Sequence, residues 1–214
     1  MPERALVFDL VGTLLDVGRL SDAWDGLADR RLGWLALDDA LAQAMVDTLT
    51  GVFRPFPELV EAGLRRQAAQ AGLGDAPVPR AMAMLPRLPP YPDAAEALAL
   101  ARDAGWTVCV LTNSARERAQ AMLDAAGLAG LVDRVDGADA CGVYKPDPRI
   151  YALGPDPAGN WFVAGHWWDV AGAKRAGYRT AWVGRDDGPL MTTVPPPDVV
   201  AGDLVAAVSA ALGR

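Results

Sequence analysis

Four short stretches of this chain carry polar side chains at spacings that suit covalent catalysis. The first runs Val7-Phe8-Asp9-Leu10-Val11-Gly12-Thr13-Leu14. The apolar run Ala5 to Phe8 reads as a buried strand that ends on the carboxylate of Asp9. Gly12 permits a tight turn, and Thr13 offers a hydroxyl beside that carboxylate. A charge at the carboxyl end of a central strand is costly unless it is paired or used, so its position points to chemistry. The second stretch, Thr112-Asn113-Ser114, ends another apolar run with groups that can hydrogen-bond a carboxylate or an oxyanion. The third is Lys145, with Pro146 and Pro148 stiffening the backbone around it. Of 20 basic residues only Lys145 and Lys174 are lysines, so a lysine inside a motif is expected to be needed for its compact ammonium. The fourth is Asp169, which follows Gly165-His166-Trp167-Trp168 and includes the chain's one histidine. A nucleophilic carboxylate, hydroxyl donors, an ammonium and a second carboxylate form the minimum set for covalent catalysis with hydrolytic release.

These groups need a scaffold that gathers strand ends. Residues 16 to 88 hold no convincing strand. Their apolar spacing predicts helices over Leu20–Ala28, Gly33–Leu49, Phe56–Gly72 and Pro79–Leu85. Leu88-Pro89-Pro90-Tyr91-Pro92 marks a boundary. Beyond it strands and helices alternate. The expected strands are Thr107–Thr112, Val132–Val135, Trp161–Gly165, Tyr178–Val183 and a weak Asp198–Val200. Helices are expected over Asp93–Ala104, Ala115–Ala126, from near Val170, and over Asp203–Leu212, with a loop over 184–197. That alternation predicts α/β architecture: a doubly wound, Rossmann-like parallel sheet built from residues 1–15 and 89–214. Residues 16–88 are then an inserted helical cap.

The four stretches, in order and spacing, resemble the four motifs of the haloacid dehalogenase (HAD) superfamily over nearly the whole chain. The pattern is most like the type II (S)-2-haloacid dehalogenases. The resemblance implies that Asp9 attacks the substrate and becomes esterified, while Thr13 holds its carboxylate. Lys145 would pair with the carboxylates, and Asp169, or His166, would activate the hydrolytic water. Val11, Thr112, Asn113, Tyr151 and Trp168 are the substrate-binding residues it implies, with Trp34, Phe53, Phe56 and Trp167 as further aromatic walls. Phosphatases of the superfamily carry an acidic residue where this chain has Val11, and a metal-binding aspartate where it has Ala164 or Gly165. No metal or cofactor is therefore expected. Carbon–halogen cleavage needs no proton on the leaving group, so Val11 is tolerable there. The family's early cap arginine aligns with Leu35, and Arg30, Arg31 and Arg54 are the nearest replacements. Two other classes stay open: a Mg²⁺-dependent phosphatase, and a HAD-fold binding protein without turnover.

Composition narrows the partners. With 51% apolar and 22% charged residues and no apolar run of about 18 residues, the expectation is a globular chain with no membrane span. The net charge of −7 argues against nucleic acid, which leaves a small anionic organic molecule as the expected substrate. Two cysteines and a strand starting directly after Glu3-Arg4 fit a reducing cytoplasm. Oligomeric state is open, with a homodimer compatible.

Overall fold

The computed structural model describes residues 4–185 and 188–213; Glu3, and Asp186 and Asp187 of the expected loop, lie outside them. Six strands form one parallel sheet: β1 (Ala5–Phe8), β2 (Thr107–Thr112), β3 (Arg134–Gly137), β4 (Trp161–Ala164), β5 (Arg179–Val183) and β6 (Val199–Ala201). Their spatial order is β3-β2-β1-β4-β5-β6. The chain leaves β1 toward β2 on one side and later returns to β4 on the other. That order makes the carboxyl end of β1 the topological switch point, where open α/β sheets bind ligands. Register fixes what gathers there: Phe8 pairs with Val110 and with Val163, so Asp9, Thr112 and Ala164 end their strands side by side. Strands β1 and β4 are buried along their whole length, as continuous apolar runs in a two-sided parallel sheet must be.

Over residues 16–88 every described helix lies off the sheet. A 3-10 helix over Val17–Trp24 leads to α1 (Arg31–Thr50), α2 (Phe56–Gln70), α3 (Val78–Met84) and a 3-10 turn over Leu85–Arg87. Helices α1 and α2 pack so closely that a Cβ at Gly63 would stand 2.2 Å from the Ala36 carbonyl oxygen. Gly51 ends α1 with a left-handed φ of 76°, and its N–H returns to the carbonyls of Asp47 and Thr48. On the sheet pack α4 (Ala94–Asp103), α5 (Arg116–Ala125), α6 (Pro148–Tyr151), α7 (Trp167–Arg175) and α8 (Leu204–Ala211).

Three of the departures from the expected bounds have an identifiable cause. The first helix after β1 is 3-10 and stops at Trp24, because Asp25-Gly26 is left-handed, with φ of 51° and 81°. The third strand sits two residues later than its apolar pattern, at Arg134–Gly137, because the Val132 N–H still turns back to the Ala129 carbonyl and the Asp133 side chain, not a strand carbonyl, accepts the Val108 N–H. Helix α7 starts at Trp167 rather than near Val170. Burial of Trp168 outweighs the poor helix propensity of the two tryptophans. This last shift matters for the site, since it places Asp169 in the first helical turn.

Candidate active site

Asp9 leaves β1 nearly buried, at 5% exposure. Both of its oxygens are held. Thr13 Oγ1 donates to Oδ2 at 2.8 Å, and Lys145 Nζ donates to Oδ1 at 3.0 Å. The Thr13 hydroxyl is itself oriented by the N–H of Gly165, 2.9 Å away at the end of β4. Between Asp9 and Thr13 the backbone turns on Gly12, with φ of +88°. A Cβ there would stand 2.5 Å from His166 Nε2, so both the dihedral and the close approach require glycine.

Lys145 is fully buried and bridges two carboxylates, reaching Asp169 Oδ2 at 2.7 Å. Its backbone N–H donates to Asn113 Oδ1, which ties the β2 terminus to the lysine loop. Burial alone would push the ammonium down; Asp169 and Asp9 outweigh it and hold the group above its ordinary value. Phe162 places its ring 4.9 Å from Nζ. Asp169, also fully buried, accepts from the Tyr151 hydroxyl at 2.6 Å on its other oxygen. Burial raises the Asp169 carboxyl to about 6; Lys145 opposes this, and the Asp9 charge adds to it. Burial and the neighbouring Asp169 carboxylate raise Tyr151 well above the usual phenol value, so it stays a donor.

A cavity of about 10 Å³ lies against Asp9, lined also by Val11, Thr112, Asn113, Ser114, His166 and Trp168, with Leu37, Leu41 and Phe56 closing it from the helical segment. Asn113 has given its oxygen to Lys145, so it presents amide donors. The Thr112 hydroxyl accepts from the Ser114 N–H. His166 is stacked on Trp168 and tilted against Trp34. Its Nε2 faces the Val11 carbonyl at 3.2 Å, which can only accept, so the neutral ring carries its proton there. Nδ1 is buried with no hydrogen-bond partner among the described residues.

Most of the expected site residues therefore converge. Tyr151 does not reach the cavity: it lies beneath Asp169 and orients that carboxylate instead of contacting a ligand. Trp167 and Phe53 also stand outside, Trp167 facing a separate surface hollow and Phe53 stacked on Tyr144. Leu35 is half-exposed and does not line the cavity. Arg30, Arg31 and Arg54 are paired with Asp16, Asp29 and Asp47, away from Asp9. Leu37, Leu41 and Ser114 complete the wall. Helical periodicity marked the two leucines as buried, but it could not tell a cavity wall from helix packing.

Comparison with known proteins places the chain in a family. Residues 3–177 match the model of the haloacid dehalogenase-like hydrolases, and the chain belongs to that family and is a hydrolase. It is 35% identical over 201 residues to (S)-2-haloacid dehalogenase 4A of Burkholderia cepacia, covering 87% of this chain and 85% of that one. A second relative, (S)-2-haloacid dehalogenase 1 of Pseudomonas sp. (strain CBS-3), is 32% identical, with 88% and 87% covered. The fold superposes with a TM-score of 0.84 on an L-2-haloacid dehalogenase of Xanthobacter autotrophicus that has chloropropionic acid covalently bound, at 28% identity and 99% coverage of both chains.

Proposed function

We propose that this hydrolase cleaves the carbon–halogen bond of small 2-halogenated carboxylic acids through an ester on Asp9. One observation carries the assignment: of the two carboxylates held by Lys145, only Asp9 lines the cavity. An Asp9 oxygen attacks the halogen-bearing carbon in line, the C–O bond forms, and halide leaves with the bonding electron pair. Thr13 and Lys145 fix the carboxylate for that approach, and the apolar walls Val11, Leu37, Leu41, Phe56 and Trp168 strip it of water. The Asn113 amide and the Thr112 and Ser114 hydroxyls are the donors for the substrate carboxylate. Residues 16–88 act as the cap that closes the site.

Water then adds to the ester carbonyl of Asp9 and the acyl–oxygen bond breaks. A 2-hydroxy acid and one proton leave, and the carboxylate is restored. One displacement at the carbon predicts net inversion there. Asp169, its carboxyl raised by burial to about 6, is the general base in this scheme. The water must reach it beside Lys145, because Asp169 does not itself line the cavity. His166 lines the cavity with a free Nδ1 lone pair and is the second base. Lys145 occupies the space between the two carboxylates, and no group of three or more His, Cys, Asp or Glu suited to a metal exists among the described residues. That donor set does not fit a divalent cation, so no step is routed through one.

The test is halide release from chloro-, bromo- and fluoroacetate and 2-chloropropionate, with Asp9→Asn as control. Release by the wild type and none by the variant supports the assignment. Tight binding of these acids without release would instead make the chain a non-catalytic binding protein, and phosphate release from a phosphomonoester that a chelator abolishes would favour the phosphatase alternative.

A further inference from the structure

The cavity against Asp9, at about 10 Å³, has room for one water molecule at most, far less than a halogenated acid requires. A second cavity of about 230 Å³ adjoins it and shares four wall residues: Val11, Leu37, Phe56 and Ser114. Its remaining wall comes from the helical segment, through Val60, Met82 and Leu85, and from α5, through Ala121, Met122 and Arg118. Apart from Arg118 and Ser114 the lining is apolar, and Arg118 stands exposed on α5 at its edge. Val11 lines both spaces, and its side chain is short and carries no ring.

We infer that this second cavity is the binding site for an apolar substituent of the substrate, so the preferred 2-halo acids carry a phenyl group or a chain of about six carbons beyond C2. A dry apolar cavity of roughly 150 Å³ accommodates benzene, so 230 Å³ suits a group of that size or somewhat larger. The halogen-bearing carbon stays at Asp9 while the substituent passes Val11 toward α5. This inference rests on the proposed reaction for the identity of the acid, but not for the existence of the subsite.

Titration calorimetry with the reaction products separates the two, because it requires no turnover. 2-Hydroxyoctanoate is expected to bind at least tenfold more tightly than lactate, since burial of each methylene is worth roughly a fourfold gain at most. Ala121→Phe fills the cavity from an exposed helical face, where it threatens folding least, and is expected to remove most of that difference. Val60→Phe fills it from the opposite wall and is expected to do the same. The ratio of kcat/KM for 2-bromooctanoate over 2-bromopropionate follows the same order. Equal affinity for the two hydroxy acids, or a preference that survives both substitutions, overturns the subsite. Absence of halide release from any acid, with the chain-length preference in binding intact, overturns the proposed reaction and leaves the subsite standing.

Discussion

Replacing Lys145 by methionine removes the one cation between two buried carboxylates, and its consequences follow from the geometry. The ammonium lies 3.0 Å from Asp9 and 2.7 Å from Asp169, with no side-chain exposure. At an effective dielectric of ~20 contacts at these distances contribute about 5–6 kcal/mol of attraction each. Desolvation of the ammonium opposes this by several kcal/mol, so removing the partner of a buried charge nets a loss of about 3–5 kcal/mol. The loss must also depend on pH. Without Lys145 the Asp169 carboxyl, already raised by burial, rises further above its unfolded value. A raised carboxyl contributes stability below its unfolded pKa and loses it as pH climbs through the folded one. Lys145→Met should therefore be least harmful near pH 5 and most harmful at pH 8. Urea unfolding of both proteins should give the full loss at pH 8 and less than half of it at pH 5. The same loss at both pH values would refute the picture of an ammonium compensating two buried carboxylates.

Asp169→Asn should slow ester hydrolysis more than ester formation, lowering kcat by about 10²–10⁴, the usual worth of general acid–base catalysis. Rapid-quench mass spectrometry should then find enzyme carrying the mass of the acid. Loss of the first step alone would assign Asp169 elsewhere. In the wild type, kcat should rise with pH through about 6 and level off above it, because the raised Asp169 must be ionised to accept a proton; a limb falling across that range would contradict this. Tyr151→Phe removes the 2.6 Å hydrogen bond that favours ionised Asp169. A charge-assisted bond of about 1.5–3 kcal/mol corresponds to roughly one to two pH units, so the limb should move upward by that much with KM nearly unchanged. A large KM change without a shift would mean that Tyr151 contacts the substrate after all.

Much of this site was legible because it lies at strand ends. Ala5–Phe8 and Trp161–Ala164 are short apolar runs that stop on a polar residue or a glycine, and a parallel sheet brings such stops together whatever the helices do. Lys145 was legible through its rarity and its prolines. The roles of Tyr151 and Leu35 were not. Position in a motif places a residue in sequence, whereas the side it faces depends on packing: Tyr151 points under α7, and Leu35 falls on the outward face of α1. The bounds of α7 were missed because tertiary burial of Trp168 overrode local propensity. The adjoining apolar cavity left no trace in the pattern at all. It is the gap between Val60 and Met82 on one side and Ala121 and Met122 on the other, residues far apart in the chain whose apolar character reads equally well as core.

The central claim is that a covalent bond forms between Asp9 and carbon, and one turnover in H₂¹⁸O with enzyme in excess over substrate tests it most directly. If water attacks the ester carbonyl, mass spectrometry of the peptide containing Asp9 will show one ¹⁸O in that side chain, and the hydroxy acid will be unlabelled. Label in the hydroxy acid with none in Asp9 would mean that water attacks the substrate carbon itself.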